Sequence, residues 1–504
     1  MKGRVLARLF VAAFIAIAAQ GHVGSPDVYL DGKAGPYQLF VTIRPPQVIP
    51  GVAALEVRSE TPGVLEVHAV PLPIAGVGAK FAPIADKLAR SKVDAQFFTG
   101  SLWMMAPGSW QVRVTAIGDQ GKGVMSVPVP SVARTTKKMQ RNIGAMLSLW
   151  GLFLVGGMVA IAGASVREAK LTPGVEPTPV ARRKGYIAMS VAAVVLLLLV
   201  WGGDAWWKSE AKTYGETVYR PIRMTASLDD SSGLLTLSLA DSGWLQPTGD
   251  EKEKRRLEMF LFQHSIDDLV PDHDHLMHLY AIREPGLDYV YHLHPDQAQA
   301  GVFRLQLPDM QPGEYRLYAD VVHANGFPET PIATVTVPAG LPGRALAGDD
   351  ASGAATDWKQ ASVASTSFNL PDGYKMEWLR ESGPLHVKEG MNFRFRLLDP
   401  QGRAPKDMAL YMGMLGHAAF VKTDGSVFAH IHPMGTASMA ALNLANEANP
   451  QPATDMPGMD MAMSSLPNEV SFPYGFPTPG RYRLFVQMKH GNTVETGVFD
   501  ALAQ

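Results

Sequence analysis

The chain has 504 residues, 46% of them hydrophobic, and a formal net charge of -2, so it is long enough for several domains with separate cores. The near-neutral charge and the lack of an extended basic stripe argue against nucleic acid as a partner. The sequence has no cysteine, which excludes disulfides, thiolate metal sites and cysteine nucleophiles. It has 24 methionines and 14 histidines, the residues that would handle a soft metal ion where free thiols are easily oxidised.

The N-terminus has the pattern of a secretory signal peptide. Basic residues precede the short apolar run LFVAAFIAIAA, and the sequence AQG before His22 provides a small-residue cleavage site. We therefore predict a signal peptide over residues 1–21 and a mature chain that begins at His22. An uncleaved first membrane anchor is the alternative, but the apolar run is short for a membrane span.

Two later segments, residues 143–166 and 186–207, are long and apolar enough to cross a bilayer. The loop between them, residues 167–185, is rich in Lys and Arg and is predicted to be cytoplasmic. Basic residues also precede the first segment, so the signal peptide decides the predicted orientation. We predict a helical hairpin in a bacterial inner membrane, with the large domains on the periplasmic side.

The other parts of the chain are predicted to be β-structure, because runs such as LLTLSL and FRFRLL alternate between turn residues. We predict a mainly β fold of three immunoglobulin-like β-sandwich domains plus the two-helix transmembrane hairpin. The predicted segments are a first domain at 22–133, a second at 226–338, a linker at 339–362, and a third domain at 363–504 with a Met-rich insertion at 434–465.

The second and third domains repeat each other. PGEYRLYADVVH (312–323) matches PGRYRLFVQMKH (479–490) without a gap, and YVYHLHP matches the end of SVFAHIHP. A weaker copy of the strand start, PGSWQVRV, lies in the first domain. A turn followed by an aromatic and alternating apolar residues predicts a sandwich strand, with every second residue from Tyr315 to Val321 facing the core.

The repeats bring histidines into equivalent positions. Aligning DHDHLMHLYAI (272–282) with YMGMLGHAAFV (411–421) places His278 on His417. The further equivalent pairs are His273 with Met412, His275 with Met414, His292 with His430, His294 with His432, and His323 with His490. Imidazole suits divalent copper and zinc, whereas thioether selects monovalent copper, so the positions that diverge are predicted to tune a site for harder or softer metal.

These positions predict a metal site for copper, as Cu⁺ or Cu²⁺, with zinc as the alternative ion. A His-x-His pair on a strand puts both imidazoles on one face, so HLH and HIH are natural two-ligand units. The predicted ligands are His273, His275, His278, His292, His294, His323, Met412, Met414, His417, His430, His432 and His490. A purely structural role is the alternative, because shared ancestry alone can retain equivalent residues.

Two further candidate ligand groups lie outside these positions. The insertion contains four methionines within eight residues: Met456, Met459, Met461 and Met463. Their thioethers fit either a flexible loop that binds monovalent copper or a low-complexity loop without that role. The amine and imidazole of a mature N-terminal His22 could chelate copper with His68, and Glu66 lies on the same strand face as His68. A disordered tail is the alternative that we favour for His22.

The HLHP and PGxYRLF elements resemble those of YtkA-like domains, which are small exported bacterial sandwiches. The Cys-free, His- and Met-rich composition is similar in style to CopC-type periplasmic copper carriers. The resemblance covers residues 226–338 and 363–504 and implies an exported immunoglobulin-like fold that binds copper. In the carrier class a mature N-terminal histidine is a copper ligand, which implies such a role for His22. The membrane hairpin departs from the simple carrier pattern.

We therefore expect a membrane-anchored periplasmic metal-binding protein that serves copper tolerance, storage or delivery, with periplasmic or envelope proteins as partners. A non-catalytic adhesion, assembly or sensor module built of immunoglobulin-like domains is the alternative. An enzyme is not expected, because the sequence has no HExxH zincin motif, no GxSxG elbow and no dinucleotide fingerprint. A redox-active copper site would leave no linear motif.

Overall fold

The computed structural model describes residues 27–74, 82–172, 174–244, 264–380, 383–447 and 466–504. These described residues are mainly β: 45% of them are in strands and 17% in helices, and they form six sheets and two long apolar helices. It divides into two compact units, Met1–Val132 with Arg220–Gln504, and Ala133–Tyr219.

The smaller unit contains two helices, α1 (Arg141–Glu168) and α2 (Pro179–Glu216), which are long and apolar enough to cross a membrane. Both extend beyond the predicted spans of 143–166 and 186–207, because the polar residues that flank each apolar run continue the helix. Gly163 and Gly185 are their buried residues. A Cβ on Gly163 would lie 2.4 Å from Cγ of Met189, so a small residue here lets the helices approach closely.

The first β-domain consists of two antiparallel sheets. Its strands are β1 (Val28–Ala34), β2 (Tyr37–Arg44), β3 (Gly51–Ser59), β4 (Val64–Pro73), β5 (Asp86–Lys87), β6 (Ala89–Arg90), β7 (Phe97–Met104), β8 (Gly108–Gly118) and β9 (Gly121–Ser131). The sheet orders are β1-β2-β3-β7-β6 and β5-β4-β8-β9. Alternating burial along β3 shows that one face is covered and the other is open to solvent.

The second β-domain, called repeat 1 below, also has two sheets. Its strands are β10 (Arg223–Asp229), β11 (Leu234–Ala240), β12 (Leu269–Val270), β13 (His278–Glu284), β14 (Tyr289–Leu293), β15 (Asp296–Gln299), β16 (Val302–Gln306), β17 (Gly313–His323), β18 (Pro328–Glu329), β19 (Ile332–Val337) and β20 (Ala351–Ala354). The orders are β10-β11-β16-β15 and β12-β17-β13-β14-β20, with β18 and β19 also paired to β17. β20 lies inside the segment predicted as a linker, and its pairing with β14 makes it part of the sheet.

The third β-domain, called repeat 2, follows the same plan. Its elements are β21 (Ser367–Asn369), β22 (Lys375–Trp378), β23 (Met391–Leu398), β24 (Met408–Ala409), β25 (His417–Lys422), β26 (Phe428–Ile431), α3 (Met439–Glu447), β27 (Glu469–Tyr474), β28 (Gly480–His490) and β29 (Thr493–Ala503). The orders are β21-β22-β23-β27 and β24-β28-β25-β26, with β29 paired to β28. The shared order β17-β13-β14 and β28-β25-β26 supports the alignment of the two repeats.

The central strands of both repeats are buried on both faces. In β13, Leu279 and Ala281 pack in the core of repeat 1, whereas Tyr280 and Ile282 pack against repeat 2. The cluster between the repeats consists of Tyr280, Ile282, Leu287, Val290, Tyr318, Ala419, Val421, Phe428, Phe485 and Val498. The ring of Tyr318 stacks on that of Phe428 with centroids 4.2 Å apart. Hydrophobic burial therefore joins the two repeats face to face.

The repeats exchange equivalent contacts, as the two subunits of a twofold dimer do. Nη1 of Arg483 in repeat 2 donates to the carbonyl oxygen of Leu287 at 3.0 Å. Its counterpart Arg316 in repeat 1 donates to the carbonyl oxygen of Gly425 at 3.4 Å. Leu287 and Gly425 occupy matching turn positions and both have positive φ, 48° and 71°. A pseudo-twofold axis therefore relates the repeats.

We expect the substitution Arg483→Met to lower the free energy of unfolding by about 3–5 kcal/mol, the cost of breaking a buried ion pair. Arg483 is 1% exposed, and its loss leaves the 4% exposed carboxylate of Asp500 without the guanidinium 2.9 Å away. Chemical denaturation of the detergent-solubilised chain measures the change.

The matched control for Arg483 is Arg394→Met, because Arg394 pairs with Glu469 at an exposed position. That substitution is expected to cost less than about 1 kcal/mol. Equal stability losses for the two variants would contradict the buried exchange between the repeats.

Candidate metal centre

Eight of the 14 histidines come together between the two repeats, and their rings contact one another. They are His273, His275, His278, His292 and His294 from repeat 1, and His417, His430 and His432 from repeat 2. We refer to these eight residues as the histidine cluster. All of them are among the ligands predicted from the sequence.

Strand geometry places four of these histidines in two pairs. His292 and His294 lie at the end of β14, and His430 and His432 lie at the end of β26. Alternate side chains of a strand point to the same face, so each pair directs both imidazoles to one side of its sheet. The ring centroids are 4.7 Å apart in the first pair and 4.6 Å apart in the second.

Matching tight turns precede the other two strands of the site. The turn from Asp272 to His275 leads into β13, and the turn from Tyr411 to Met414 leads into β25. His273 and Met412 occupy the same turn position with φ of 49° and 50°. Positive φ at both central residues is typical of a two-residue hairpin loop of type I′. The turn permits His275 and His278 to approach the same site despite their odd spacing.

Three histidines of the cluster have an oxygen acceptor at Nδ1 and no hydrogen-bond partner at Nε2 within the described residues. Nδ1 of His294 lies 3.2 Å from Oδ1 of Asp350, and Nδ1 of His430 lies 2.9 Å from Oδ2 of Asp320. Nδ1 of His432 lies 3.4 Å from the carbonyl oxygen of Ala437. When Nδ1 carries the proton that these acceptors need, Nε2 carries a lone pair.

The opposite nitrogens of the same three residues are available as ligands. Nε2 of His294, of His430 and of His432 is buried and has no hydrogen-bond partner among the residues that the structure describes. An imidazole that donates one nitrogen to a carboxylate or carbonyl and presents the other is the arrangement of metal-ligating histidines.

One ring nitrogen of His278 and one of His292 point their lone pairs at each other. Nε2 of His278 donates to the carbonyl oxygen of Asp272 at 3.0 Å, and Nδ1 of His292 donates to the amide oxygen of Gln487 at 2.9 Å. With these tautomers, Nδ1 of His278 and Nε2 of His292 are both acceptors, yet they lie only 3.2 Å apart. A cation bound by both nitrogens would relieve the repulsion between them.

His417 is the most isolated imidazole of the cluster. It is 0% exposed, and within the described ranges neither of its nitrogens has a hydrogen-bond partner. His273 beside it likewise has an unpartnered Nε2 in the described part of the chain. Each buried polar atom left in this state costs about 1–3 kcal/mol, so native proteins rarely contain several together. A bound metal ion would satisfy the lone-pair nitrogen of each ring, Nε2 of His273 and one of the two nitrogens of His417.

Burial disfavours the protonated form of the strand histidines in the cluster. It lowers the pKa of His278, His292, His417 and His430 well below the ordinary value, and the neighbouring imidazoles lower it further. Burial also lowers the pKa of His432 to about 4. Neutral imidazole is the form that binds metal ions, so no proton has to be displaced at neutral pH.

The predicted ligands His323 and His490 lie in separate carboxylate networks. His323 contacts Asp268 at 2.5 Å and Glu329 at 3.2 Å, and His490 contacts Glu495 at 3.2 Å. Burial lowers the pKa of His323, but its hydrogen bonds to the two carboxylates outweigh this effect and raise the pKa to about 9. The protonated form of His323 is therefore favoured at neutral pH, and a metal ion bound there would have to displace a proton. His264, His323 and Glu329 lie close enough together to hold a metal ion. The two carboxylates beside His323 favour an ion pair with its protonated ring instead.

A further buried histidine, His264, joins the carboxylate network of His323. His264 is 7% exposed and lies 2.9 Å from Glu329 in the same network as His323.

The predicted proximity of Glu66 and His68 is confirmed by a distance of 3.1 Å between Oε2 of Glu66 and Nε2 of His68. His22, the proposed partner of His68, lies outside the described residues.

The methionines of repeat 2 lie near the cluster. The ring of His273 hydrogen-bonds to the backbone of Met412, and the Met412 side chain packs with Tyr411 and Ala351. Met414 is half-buried in the same turn. The four methionines of the insertion lie outside the described residues: Met456, Met459, Met461 and Met463.

The first β-domain holds the loop that follows His432. The amide nitrogen of Asp31 donates to the carbonyl oxygen of Met434 at 2.8 Å, and that of Thr436 donates to the carbonyl oxygen of Tyr29 at 3.0 Å. A Cβ on Gly435 would lie 1.9 Å from the Tyr29 oxygen, so only glycine permits this approach. The loop that contains the Ala437 acceptor is therefore fixed by a neighbouring domain.

Sequence reasoning missed the polar partners of the cluster. Asp320 and Gln487 occupy equivalent positions in β17 and β28, and each contacts a histidine of the opposite repeat. The available signal was a polar residue with apolar residues on both sides, on the strand face opposite to the core-facing Tyr315 and Val321. The reciprocal contacts show that the pseudo-twofold axis passes through the cluster.

Comparisons with known proteins give a family model and distant structural likenesses. The model "Domain of unknown function (DUF8832)" matches residues 239–339 and 367–504, which cover most of repeat 1 and all strands of repeat 2. No curated protein matches the chain.

Among solved structures, the chain is similar to Salmonella alpha-2-macroglobulin reacted with methylamine, with 9% identity, a TM-score of 0.21, and coverage of 94% of this chain and 24% of that one. It is similar to dimeric latent PorU from Porphyromonas gingivalis, with 10% identity, a TM-score of 0.13, and coverage of 90% and 32%. A putative membrane anchored protein from Corynebacterium diphtheriae has 9% identity, a TM-score of 0.13, and 94% coverage of both chains. At these TM-scores the likenesses define neither a fold family nor a function.

We expect two histidine substitutions to have opposite effects on the metal-free protein. His417→Leu removes two unpartnered nitrogens and should raise the free energy of unfolding by about 1–3 kcal/mol. His292→Leu leaves the amide oxygen of Gln487 without its donor and should lower it by a similar amount. Chelator-treated protein and chemical denaturation provide the measurement. Destabilisation of equal size in both variants would show that the nitrogens of His417 do have partners.

Proposed function

We propose that this protein binds copper at the histidine cluster and serves copper tolerance, storage or delivery from a membrane anchor. The observation that supports the proposal most strongly is the convergence of buried imidazole nitrogens that lack partners within the described ranges, above all both nitrogens of His417. Stability alone does not explain such nitrogens, because apolar residues would fill the same space at lower cost.

The donor set supports copper over other ions. It consists of neutral imidazoles, which suit copper and zinc, and it lacks the oxygen-rich shell that magnesium or calcium requires. For a given set of nitrogen ligands, divalent copper binds more tightly than divalent zinc. A chain without cysteine that handles copper through histidine also suits an oxidising compartment.

The finer features of the architecture belong to the same proposal. The three pairs of antiparallel sheets are immunoglobulin-like sandwiches, α1 and α2 cross the bacterial inner membrane, and the large domains lie on the periplasmic side. Support comes from the paired sheets, from the length and apolar character of the two helices, and from the signal-peptide pattern of the N-terminus.

Burial of the site favours retention of the ion over rapid exchange. His417 and His292 are 0% exposed, whereas His273 and His275 lie half-buried on a turn at the edge of the cluster. An ion would enter past this turn and then be enclosed by the strand histidines. Delivery to a partner would require the turn to move, whereas storage would not.

We expect the full chain in detergent to retain copper after it is loaded with equal amounts of copper and zinc and then desalted. The double variant His278→Ala/His417→Ala removes one imidazole from the start of each central strand and should lose most of the bound copper. Mass spectrometry of the metal content measures the loss.

The control is His386→Ala, which removes an exposed histidine outside the cluster and should retain as much copper as the unmodified chain. Equal copper in all three proteins would contradict a site in the cluster. Retention of zinc in place of copper would contradict the assignment of the metal.

A further inference from the structure

The histidine cluster divides into two sets of three ligands. Within each set, one potential ligand atom from every residue lies within 4.8 Å of the others. The first set is His278, His292 and His294. The second set is His273, His417 and His432. Three imidazoles are sufficient to hold one copper or zinc ion with a position left for an external ligand.

The two sets differ in their origin. All three residues of the first set belong to repeat 1, whereas the second set takes His273 from repeat 1 and the other two residues from repeat 2. Each set contains a histidine from the start of a central strand, His278 in one and His417 in the other. The pseudo-twofold axis relates His278 to His417 and His294 to His432, whereas His292 corresponds to His430 and not to His273.

The two sets are almost as close to each other as their own members are. Within the sets, the ring centroids of His278 and His294 are 5.1 Å apart, as are those of His417 and His432. Between the sets, the rings of His292 and His417 are 6.2 Å apart. Ions held in both sets would therefore be neighbours, close enough for one small ligand to bridge them.

His430 lies between the two sets and contacts both. Its ring centroid is 5.3 Å from that of His278 and 5.5 Å from that of His417. Asp320 binds its Nδ1, and no described residue contacts its buried Nε2 through a hydrogen bond. A seventh imidazole with a free lone pair is thus available where two ions would meet.

The number of available nitrogens exceeds the requirement of one ion. A single copper or zinc ion takes about four ligands, and imidazole supplies one nitrogen each. One ion in either set would leave buried, unpartnered nitrogens in the other set, at a cost of about 1–3 kcal/mol each. Two ions would satisfy both sets.

We propose that the histidine cluster is a dinuclear copper centre in which each ion is held by three imidazoles, one within repeat 1 and the other across the two repeats. This inference rests on the proposed copper-binding function and adds the number and pairing of the ions. An ion bound by the second set would also link the two repeats, because His273 belongs to repeat 1 and His417 to repeat 2.

The experiment loads the full chain in detergent with Cu²⁺, removes unbound ion by desalting, and measures copper by mass spectrometry and unpaired spins by electron paramagnetic resonance. We expect two copper ions per chain but far fewer than two spins, because two Cu²⁺ ions joined by one bridging ligand couple antiferromagnetically. Acid denaturation should then release both ions and restore two spins per chain.

Single substitutions at the edge of each set provide the second arm. His294→Ala and His273→Ala should each bind one copper ion per chain, with one full spin in the folded protein. The control His386→Ala alters an exposed histidine and should behave like the unmodified chain. If a variant fails to fold, the numbers of copper ions and of spins per unmodified chain still test the proposal.

The possible results separate the two proposals. One copper ion per chain, or two ions that give two full spins, would overturn the dinuclear centre and leave copper binding intact. No bound copper would overturn both the dinuclear centre and the proposed function. If His294→Ala and His273→Ala each still bind two copper ions, the ions lie elsewhere in the chain, and the proposed pairing is overturned.

Discussion

The candidate site depends on the burial of both faces of the central strands. Each repeat packs one face of its main sheet on its own core and the other face on the opposite repeat. Histidines on the outer face therefore lose contact with water, and every one of their nitrogens needs a partner inside the protein. Apolar contacts such as that between Tyr318 and Phe428 stabilise this arrangement and compensate for the cost of the imidazoles.

The local part of the site could be predicted from the sequence. The alignment of the repeats places His278 on His417, and the structure puts both at the start of equivalent strands. The alternation from Tyr315 to Val321 predicts the core-facing residues, which the core of repeat 1 confirms. In both cases the evidence is a short-range pattern with the period of a strand.

The packing of one repeat on the other could not be predicted, because it depends on contacts between residues far apart in the chain. The alternation of side chains along β17, continued from Val321 to His323, shows why His323 is not part of the cluster. His323 lies on the face of β17 that carries Tyr315 and Val321, whereas Asp320 lies on the opposite face and reaches His430. Sequence equivalence alone grouped His323 with the other histidines, but strand geometry assigns it to a carboxylate network.

The two halves of the site are equivalent in geometry but different in chemistry. Asp320 provides a carboxylate to His430, whereas its counterpart Gln487 provides an amide to His292. A carboxylate partner makes an imidazole a stronger donor to metal than an amide partner does. The divergence of His273 to Met412 adds to this difference. The two repeats thus retain a common frame while their ligands have diverged.

The most direct test of a metal centre in the cluster is X-ray diffraction from copper-soaked crystals at the copper absorption edge. We expect anomalous peaks at bonding distance, about 2.0–2.1 Å, from imidazole nitrogens of the cluster, including one of His417. Peaks only at exposed histidines such as His386, or no peak between the repeats, would contradict it.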